Sequence, residues 1–549
     1  MKKLISDRIV YRPLLIAYVV YTPLAVLVVL LCRHQLNLDG VAYIRIAQYY
    51  TQGNFDLAIT GYWAPLISWL LMPWHLASLN PVLGGHIVNA VAGALFMAAT
   101  WYLGRCLNLR GTMAACLPLA AGMLALTWQG LGIIADVLFA ALLTLYFARS
   151  YVACRSLRLR DALLAGGLAG VAYLAKYYAL PFFLLHHTLA TLGSARRTGS
   201  WRPEQAQWKC WFLGLAGCAM VAAPWWAVLT ARYGRPTYAT TGTIVHSLAG
   251  PAGFDTWPAQ AITNLRPGRI TVWENPDEIT TPWPSWSPFS GLDGMLHQLR
   301  LVLRNVREVA MLLFAADGLG LLYFALLALL VISCLSVNNA FEPEPKTWRW
   351  ALLAVGSYLS GLMLIFAGSR RYYWPLEGLL LVMVVVLFTR LATILASGRN
   401  RISICSSPRF WESLLGLVMI GAMALPGLET ARYALSRPGT DVRRLALDLK
   451  GLGIEGPLAS NEWHECVVIG YYLDTSCAGV PKGDSPDEVR TQLAKAGVRS
   501  LLLFEDEPYP SRAVPLLESV EYLGAAVHRI RQGDYRVAVY RLHEHLKQD

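Results

Sequence analysis

The sequence of 549 residues is short of charge: Asp, Glu, Lys and Arg make up 15% of it, against about 25% in a soluble domain, and 55% of its residues are hydrophobic. So little charge excludes an ordinary water-soluble globule of this length. Metal-ligand spacings are missing as well. There is no C-x-x-C and no H-E-x-x-H, which removes zinc-ribbon, thioredoxin-like and zincin chemistry. No asparagine opens an N-x-Ser/Thr sequon, in keeping with a bacterial envelope protein. No internal repeat and no low-complexity tract is visible, which excludes solenoid arrays. The net charge of +12 does not point to nucleic acid, because Lys and Arg fall in short clusters between apolar runs rather than along one stripe.

Long apolar runs are what the chain has instead. A membrane span takes roughly 20 mainly apolar residues, and about eleven such segments are expected, at 13–32, 83–104, 112–129, 132–150, 161–176, 178–193, 209–230, 309–335, 349–367, 372–396 and 410–428. The fifth and sixth are short enough to form one kinked hairpin around Lys176 and Pro181. The first follows Lys2, Lys3, Arg8 and Arg12 but exceeds a signal-peptide core and lacks an A-x-A-like exit, so it is read as a retained helix. With the N-terminus cytoplasmic, the inner connections collect Arg105 and Arg110, then Arg149, Arg155, Arg158 and Arg160, then Arg196, Arg197, Arg202 and Lys209, and finally Arg390, Arg399, Arg401 and Arg409. That is the positive-inside pattern. Only FEPEPKTWRW, 341–350, is equivocal. Residues 33–82, 231–308 and the tail then lie outside.

Composition shifts near residue 440: the tail holds 17 of the 35 acidic residues and 13 of the 47 basic ones. It reads as a separate small α/β domain, 440–549, appended to a membrane domain, 1–435. VVIGYYL, SLLLFE and YRVAVYRL are expected strands, and SPDEVRTQLAKAG has a Ser/Asp start, helical spacing and a Gly stop. The outer loop 231–308, with WENPDEITTPWPSWSPF, carries enough tryptophan to argue for a packed or interfacial lid. Most of the ten cysteines lie in or beside apolar runs as small packing residues. Cys466 and Cys477 alone share the oxidising side, which leaves a disulfide between them open.

Chemistry should reside where polar groups meet the outer membrane boundary. NLDGVAYIRIAQYYTQG, 37–53, has helical spacing with Asp39 at the N-cap position and Gly53 as a stop, a short helix lying at the interface. Asp39 could be only a cap. Asp136 falls in the first turn of the fourth span, where it could simply satisfy the helix dipole. Lys176 stands at the outer turn between two short spans and could merely snorkel. Arg370 and Arg371 open the tenth span from outside, against the positive-inside bias. Together, carboxylates face fixed cations at a water–membrane boundary beside aromatic residues. A carboxylate can take the proton of an attacking hydroxyl, and Lys and Arg can stabilise charge on a phosphate leaving group. Binding a lipid phosphate without chemistry would need the same cations.

At these residues the chain resembles the GT-C membrane glycosyltransferases, the branch with protein O-mannosyltransferases and the aminoarabinose transferases of lipid A. The resemblance lies in LDGVAYIRIAQYYTQGNFD followed by GYWAPLISWLL, in ADVLF, in LAKYYALP, in the Arg-Tyr-x-x-Pro pattern of RRYYWP, and in the tail. It implies a polyprenyl-phosphate sugar donor, with Asp39 matching the first-loop catalytic base and Asp136 the second acidic position. Lys176, Arg370 and Arg371 match donor-phosphate positions, with Arg45, Tyr43, Trp63, Tyr177 and Tyr372 as secondary binding residues. Inversion at the anomeric carbon would follow from direct displacement. Protein O-mannosyltransferases carry Asp-Glu where this chain has Asp39-Gly40, which weakens a protein acceptor. Oligosaccharyltransferases carry an acidic pair in the second loop that helps bind a divalent metal, whereas Asp136 lacks a near acidic partner. No cofactor is therefore expected and a metal is not favoured, although Asp255, Glu274, Asp277 and Glu278 of the long loop could supply ligands.

The leading expectation is thus a transferase of the bacterial inner membrane, with a periplasmic tail and a lipid, polysaccharide or protein acceptor. The other two readings are a transporter or flippase of a lipid-linked sugar, and a non-catalytic binder of one. A transporter often shows inverted repeats and polar broken helices at the bilayer midplane. Here the polar groups gather at one face.

Overall fold

The computed structural model describes residues 2–193, 203–251, 260–279, 283–314, 320, 345–366, 368–397, 407–482, 485–505 and 527–542. Helices dominate: α1 (Lys2–Leu31), α2 (Leu38–Thr51), α3 (Phe55–Ala58), α4 (Leu66–Leu76), α5 (Pro81–Cys106), α6 (Gly111–Gln129), α7 (Asp136–Ser156), α8 (Leu159–Ala175), α9 (Ala179–Leu192), α10 (Gln205–Tyr233), α11 (Thr241–Leu248) and α12 (Leu292–Leu313). After the eighth expected span come α13 (Pro345–Leu364), α14 (Trp374–Ser397), α15 (Pro408–Leu435) and α16 (Thr440–Gly451). Among the described residues, seven helical runs are long and apolar enough to cross a membrane. The chain is a multi-pass membrane protein.

Ten of the eleven expected spans coincide with helices; the eighth, 309–335, lies mostly outside the described residues. Three of the ten, α8, α9 and α13, are not among the seven runs, α8 and α9 being only 17 and 14 residues long. Helix α8 instead packs backbone to backbone on α10. A Cβ on Gly166 would run into the Gly214 carbonyl oxygen, and one on Gly170 would lie 2.7 Å from Val221 Cβ and 2.9 Å from the Cys218 carbonyl oxygen. Small residues one turn apart let two membrane helices approach this closely.

Beyond α16 the chain forms β1 (Leu458–Ser460), α17 (Trp463–Leu473), β2 (Cys477–Gly479), α18 (Pro486–Lys495), β3 (Ser500–Phe504), β4 (His528–Gln532) and β5 (Tyr535–Arg541). The five-stranded sheet has the order β2-β1-β3-β5-β4, with β2, β1 and β3 parallel and β4 and β5 antiparallel. Strands expected at SLLLFE and YRVAVYRL are β3 and β5, and the expected SPDEVRTQLAKAG helix is α18 with Ser485 as its cap. VVIGYYL is not a strand but the body of α17. The misreading has a physical source. Cys466, Val467, Val468, Ile469 and Gly470 of this helix are all buried, because it is covered by the sheet and by the membrane part together. A continuous apolar run is what a parallel strand also presents.

Cys466 and Cys477 form a disulfide that ties α17 to β2. The tail is continuous with the rest of the protein rather than a free appendage. One apolar core runs from the membrane helices through Leu445, Val467 and Ile469, while a second, formed by Ala459, Val489, Leu493 and Leu501, covers the other side of the sheet. Outer-loop residues extend the sheet at β2: Val480 N donates to the Gln260 carbonyl (2.7 Å), Thr263 N to that of Ala478 (3.0 Å) and Cys477 N to that of Ile270 (2.8 Å). The strand edge is thereby covered.

Gly166→Ala is expected to cost about 1–3 kcal/mol, the usual penalty of overpacking, because the group it meets is backbone and cannot turn aside. Gly421→Ala, in α15 with nothing within 4 Å of the new methyl, should leave stability unchanged or slightly raised. Thermal unfolding of the two variants in detergent tests the difference.

Candidate active site

The site begins with the residues that fix α2 against α7. Asn37, not Asp39, is the N-cap residue of α2, and Asp39 is the second helical residue. Asn37 makes no cap hydrogen bond with its own helix; its Oδ1 accepts from Ile133 N at 2.9 Å, and Asn89 Nδ2 donates to the Gly132 carbonyl at 2.7 Å. These bonds pin the loop that leads into Asp136, the first residue of α7, to the start of α2. Gly132 permits the approach with φ +109°, and any side chain there would strike Asn37. Helix α2, expected to lie at the interface, is surrounded by protein. Val41, Ala42, Ile44, Ile46 and Ala47 are all 2% exposed or less, because α4, α5, α17 and the outer loop surround it.

Two carboxylate–cation pairs result. Arg371, on the 3-10 turn Arg370–Tyr373 ahead of α14, donates through Nη1 to Asp39 Oδ2 at 2.7 Å. Lys176, in the extended residue between α8 and α9, donates through Nζ to Asp136 Oδ1. The pairs converge on Tyr372: Lys176 Nζ is 4.5 Å from its ring centroid and the Arg371 guanidinium carbon 5.6 Å, both within cation–π reach. Arg371 is thus the member of the Arg370–Arg371 pair that reaches Asp39, and Arg370 sits half-buried on the same turn.

The outer loop closes one side. Trp273 donates its indole N–H to Asp39 Oδ1 (3.3 Å), while its own carbonyl accepts from Trp63 Nε1 (2.8 Å). Edge-to-face contacts link Tyr43 to Trp63 (5.1 Å), Tyr62 to Trp273 (5.4 Å) and Trp273 to Trp463 of α17 (5.6 Å). An aromatic wall built from α2, the first outer loop, the lid and the tail therefore stands beside Asp39. Tyr177 supports it from behind, donating to the Trp63 carbonyl (3.0 Å) and accepting from Trp225 Nε1 (2.9 Å). That contact holds the wall rather than opening onto the site.

Arg45 also acts elsewhere than expected from its place in the first loop. It donates to Gln48 Oε1 (2.6 Å) and to the Gly268 carbonyl (2.7 Å), and it faces the fully buried Glu274, so it anchors the lid. Glu274 accepts from Tyr49 (2.6 Å) and from Ile270 N (2.8 Å), with Arg269 Nη1 at 3.4 Å. Asp277 accepts from Tyr233 (2.6 Å) and Thr240 (2.8 Å), and Glu278 takes a two-pronged bond from Arg269 (2.6 and 2.9 Å). Asp255 lies outside the described residues. Sequence reading missed Trp273, Tyr62, Trp463 and Asn37. The tryptophan density of the loop was the available signal for the first; nothing local marked the others.

No protein-family model matches the chain, and no curated protein matches it in sequence. Its backbone is nonetheless similar to ArnT from Cupriavidus metallidurans bound to undecaprenyl phosphate, with a TM-score of 0.52 at 14% identity over 96% of this chain and 98% of that one. The chain has the GT-C fold. The archaeal oligosaccharyltransferase AglB from Archaeoglobus fulgidus, in complex with an inhibitory peptide and a dolichol-phosphate, is similar at TM-score 0.53 and 13% identity, over 93% of this chain and 72% of that one. The Archaeoglobus fulgidus oligosaccharyltransferase complex with zinc and sulfate gives 0.55 at 12%, over 95% and 73%. In the GT-C fold of this chain, the paired charges lie where the first outer loop, the α8–α9 turn and the start of α14 meet.

Lid docking should depend on pH through two opposed carboxyls. Burial pushes Glu278 up, but the hydrogen bonds and charge of Arg269 outweigh it and hold Glu278 below its ordinary 4.5. Its contribution is therefore complete above about pH 4.5 and is lost as pH falls through the lowered value. Burial raises Asp277 despite its hydroxyl donors, so its contribution has the opposite sign and fades as pH rises. Limited proteolysis of the 260–279 segment should show acid release in the wild type, none in Glu278→Gln, and a steeper release in Asp277→Asn.

Proposed function

We propose that the protein is a glycosyltransferase that moves a sugar from a polyprenyl-phosphate donor to a hydroxyl acceptor at the outer face of a bacterial inner membrane. The observation that carries this reading is the convergence of the Asp39–Arg371 and Asp136–Lys176 pairs on Tyr372 beside an aromatic wall. GT-C neighbours bound to undecaprenyl phosphate and dolichol-phosphate support the donor class. The positive-inside pattern supports a cytoplasmic N-terminus and a periplasmic tail.

In the mechanism we infer, the donor phosphate lies between Lys176 and Arg371. Both cations already sit at one ring, so the leaving group's growing negative charge meets fixed positive charge without rearrangement of solvent. Asp39 is the base. One of its oxygens is occupied by Arg371 and the other by Trp273. A phosphate that draws the guanidinium towards itself frees Oδ2 for the acceptor hydroxyl, so the base becomes available only once donor is bound. The acceptor oxygen then bonds to the anomeric carbon, the carbon–oxygen bond to phosphate breaks, the proton passes to Asp39 and the configuration inverts. Asp136 keeps Lys176 oriented. Tyr43, Trp63 and Tyr372 present apolar ring surface of the kind that sugars stack on.

The reaction is proposed to run without metal. The carboxylates of the long loop that could supply ligands, Glu274, Asp277 and Glu278, are each engaged by Arg, Tyr, Thr or backbone donors of the protein. Asp39 and Asp136 each face a cation instead. A cation-paired carboxylate is a poor start for a divalent-metal cage.

Transfer from purified polyprenyl-phosphate donors to envelope fractions tests the proposal. Asp39→Asn should lower turnover by roughly 10²–10⁴-fold, the worth of positioned acid–base catalysis, with donor affinity largely kept. Arg371→Gln and Lys176→Gln should weaken donor binding as well as turnover. Activity should survive a chelator. An Asp39→Asn variant with near wild-type turnover would overturn Asp39 as base, and donor binding without any transfer would favour a lipid-phosphate binder.

A further inference from the structure

A basic cavity lies at the far end of the same helices. Helix α7 starts at Asp136, and its 21 residues span about 30 Å to the opposite membrane face. There Tyr151 and Arg155 of α7, Leu189 of α9, and Lys346, Arg349 and Trp350 of α13 line a cavity of about 270 Å³. Tyr151 and Thr347 share a hydrogen bond (2.9 Å) that ties α7 to α13 below it, and Arg155 donates to the Tyr151 hydroxyl (2.8 Å). Lys346 and Arg349 come from the connection whose sidedness the sequence left equivocal.

Two features of the cavity suit an anionic ligand. Lys346 and Arg349 are exposed and form no ion pair with a described residue. No acidic residue lines the cavity among the described residues. Beside the cavity, Leu185 (41% exposed) and Leu189 (43%) lie one turn apart on α9, and Leu352 (58%) stands on α13, an apolar surface at the depth of acyl chains.

We propose that this cavity binds the phosphate headgroup of an anionic diacyl phospholipid in the leaflet opposite the candidate active site, with Lys346 and Arg349 as counter-charges and the acyl chains along Leu185 and Leu189. Basic pockets between membrane helices recognise anionic headgroups in this way. A soluble phosphate would have no use for the flanking leucines. The inference is independent of the transfer reaction, because none of these residues touches the Asp39 site.

The test is native mass spectrometry of the full-length protein in mixed micelles with phosphatidylglycerol or phosphatidylcholine. Wild type should retain phosphatidylglycerol at least tenfold better than phosphatidylcholine. The double variant Lys346→Gln/Arg349→Gln should lose about 25-fold, at roughly fivefold per cation near the surface. Unfolding temperature in the absence of lipid checks that the double variant folds, which its two exposed positions favour. Equal retention of both lipids by wild type, unchanged phosphatidylglycerol retention in the folded double variant, or displacement by millimolar inorganic phosphate would each overturn the proposal. The lipid preference of wild type decides the matter even if a variant fails to fold.

Discussion

Charge at the edge of a membrane bundle must be paired, because an unpartnered carboxylate or cation taken out of water costs several kcal/mol. Asp39 with Arg371, and Asp136 with Lys176, meet that constraint across four separate segments of the chain: the start of α2, the start of α7, the turn before α9 and the turn before α14. Each pair therefore closes a long loop of sequence. The Asn37–Ile133 and Asn89–Gly132 bonds hold the segments that carry the two acids without involving either pair. In the proposed reaction a phosphate draws one cation away, and these bonds between asparagine side chains and backbone hold the two acids in place apart from the ion pairs.

The lid is built by the same rule. Glu274 is fully buried and is satisfied by Tyr49, Ile270 N and two arginines drawn from α2 and from the loop itself. Residues 260–270 then join the sheet at β2, and Trp273 reaches both Asp39 and Trp463. Membrane part, lid and tail thus share one polar network and one apolar core. In the proposed reaction the tail would bear on access to the site through Trp273 and Trp463 without touching the reacting atoms.

Composition and run length were enough to read a polytopic membrane protein, because only long apolar stretches satisfy the bilayer. The sites of Asp39, Asp136, Lys176 and Arg371 were legible for a related reason: a charge at the mouth of a span is costly and stands out. Arg45 and Tyr177 were expected as secondary binding residues, and their hydrogen bonds go to the lid and to the aromatic wall. Nothing in a single sequence shows that Arg45 meets Gly268 or that Tyr177 meets Trp225. VVIGYYL was misread because burial on both sides erases the periodicity that separates helix from strand.

By itself the sequence determined the membrane class, the order of the helices, the α/β character of the tail and the short list of charges at the boundary. Each of these follows from local hydropathy or from the cost of a charge in an apolar run. Tertiary structure alone decided which acid meets which cation, that Asn37 and not Asp39 caps α2, that Cys466 bonds Cys477, and that Trp273 completes the site from 234 residues away. Those are contacts between distant segments, fixed by how the helices pack against one another, and local propensity carries no record of them.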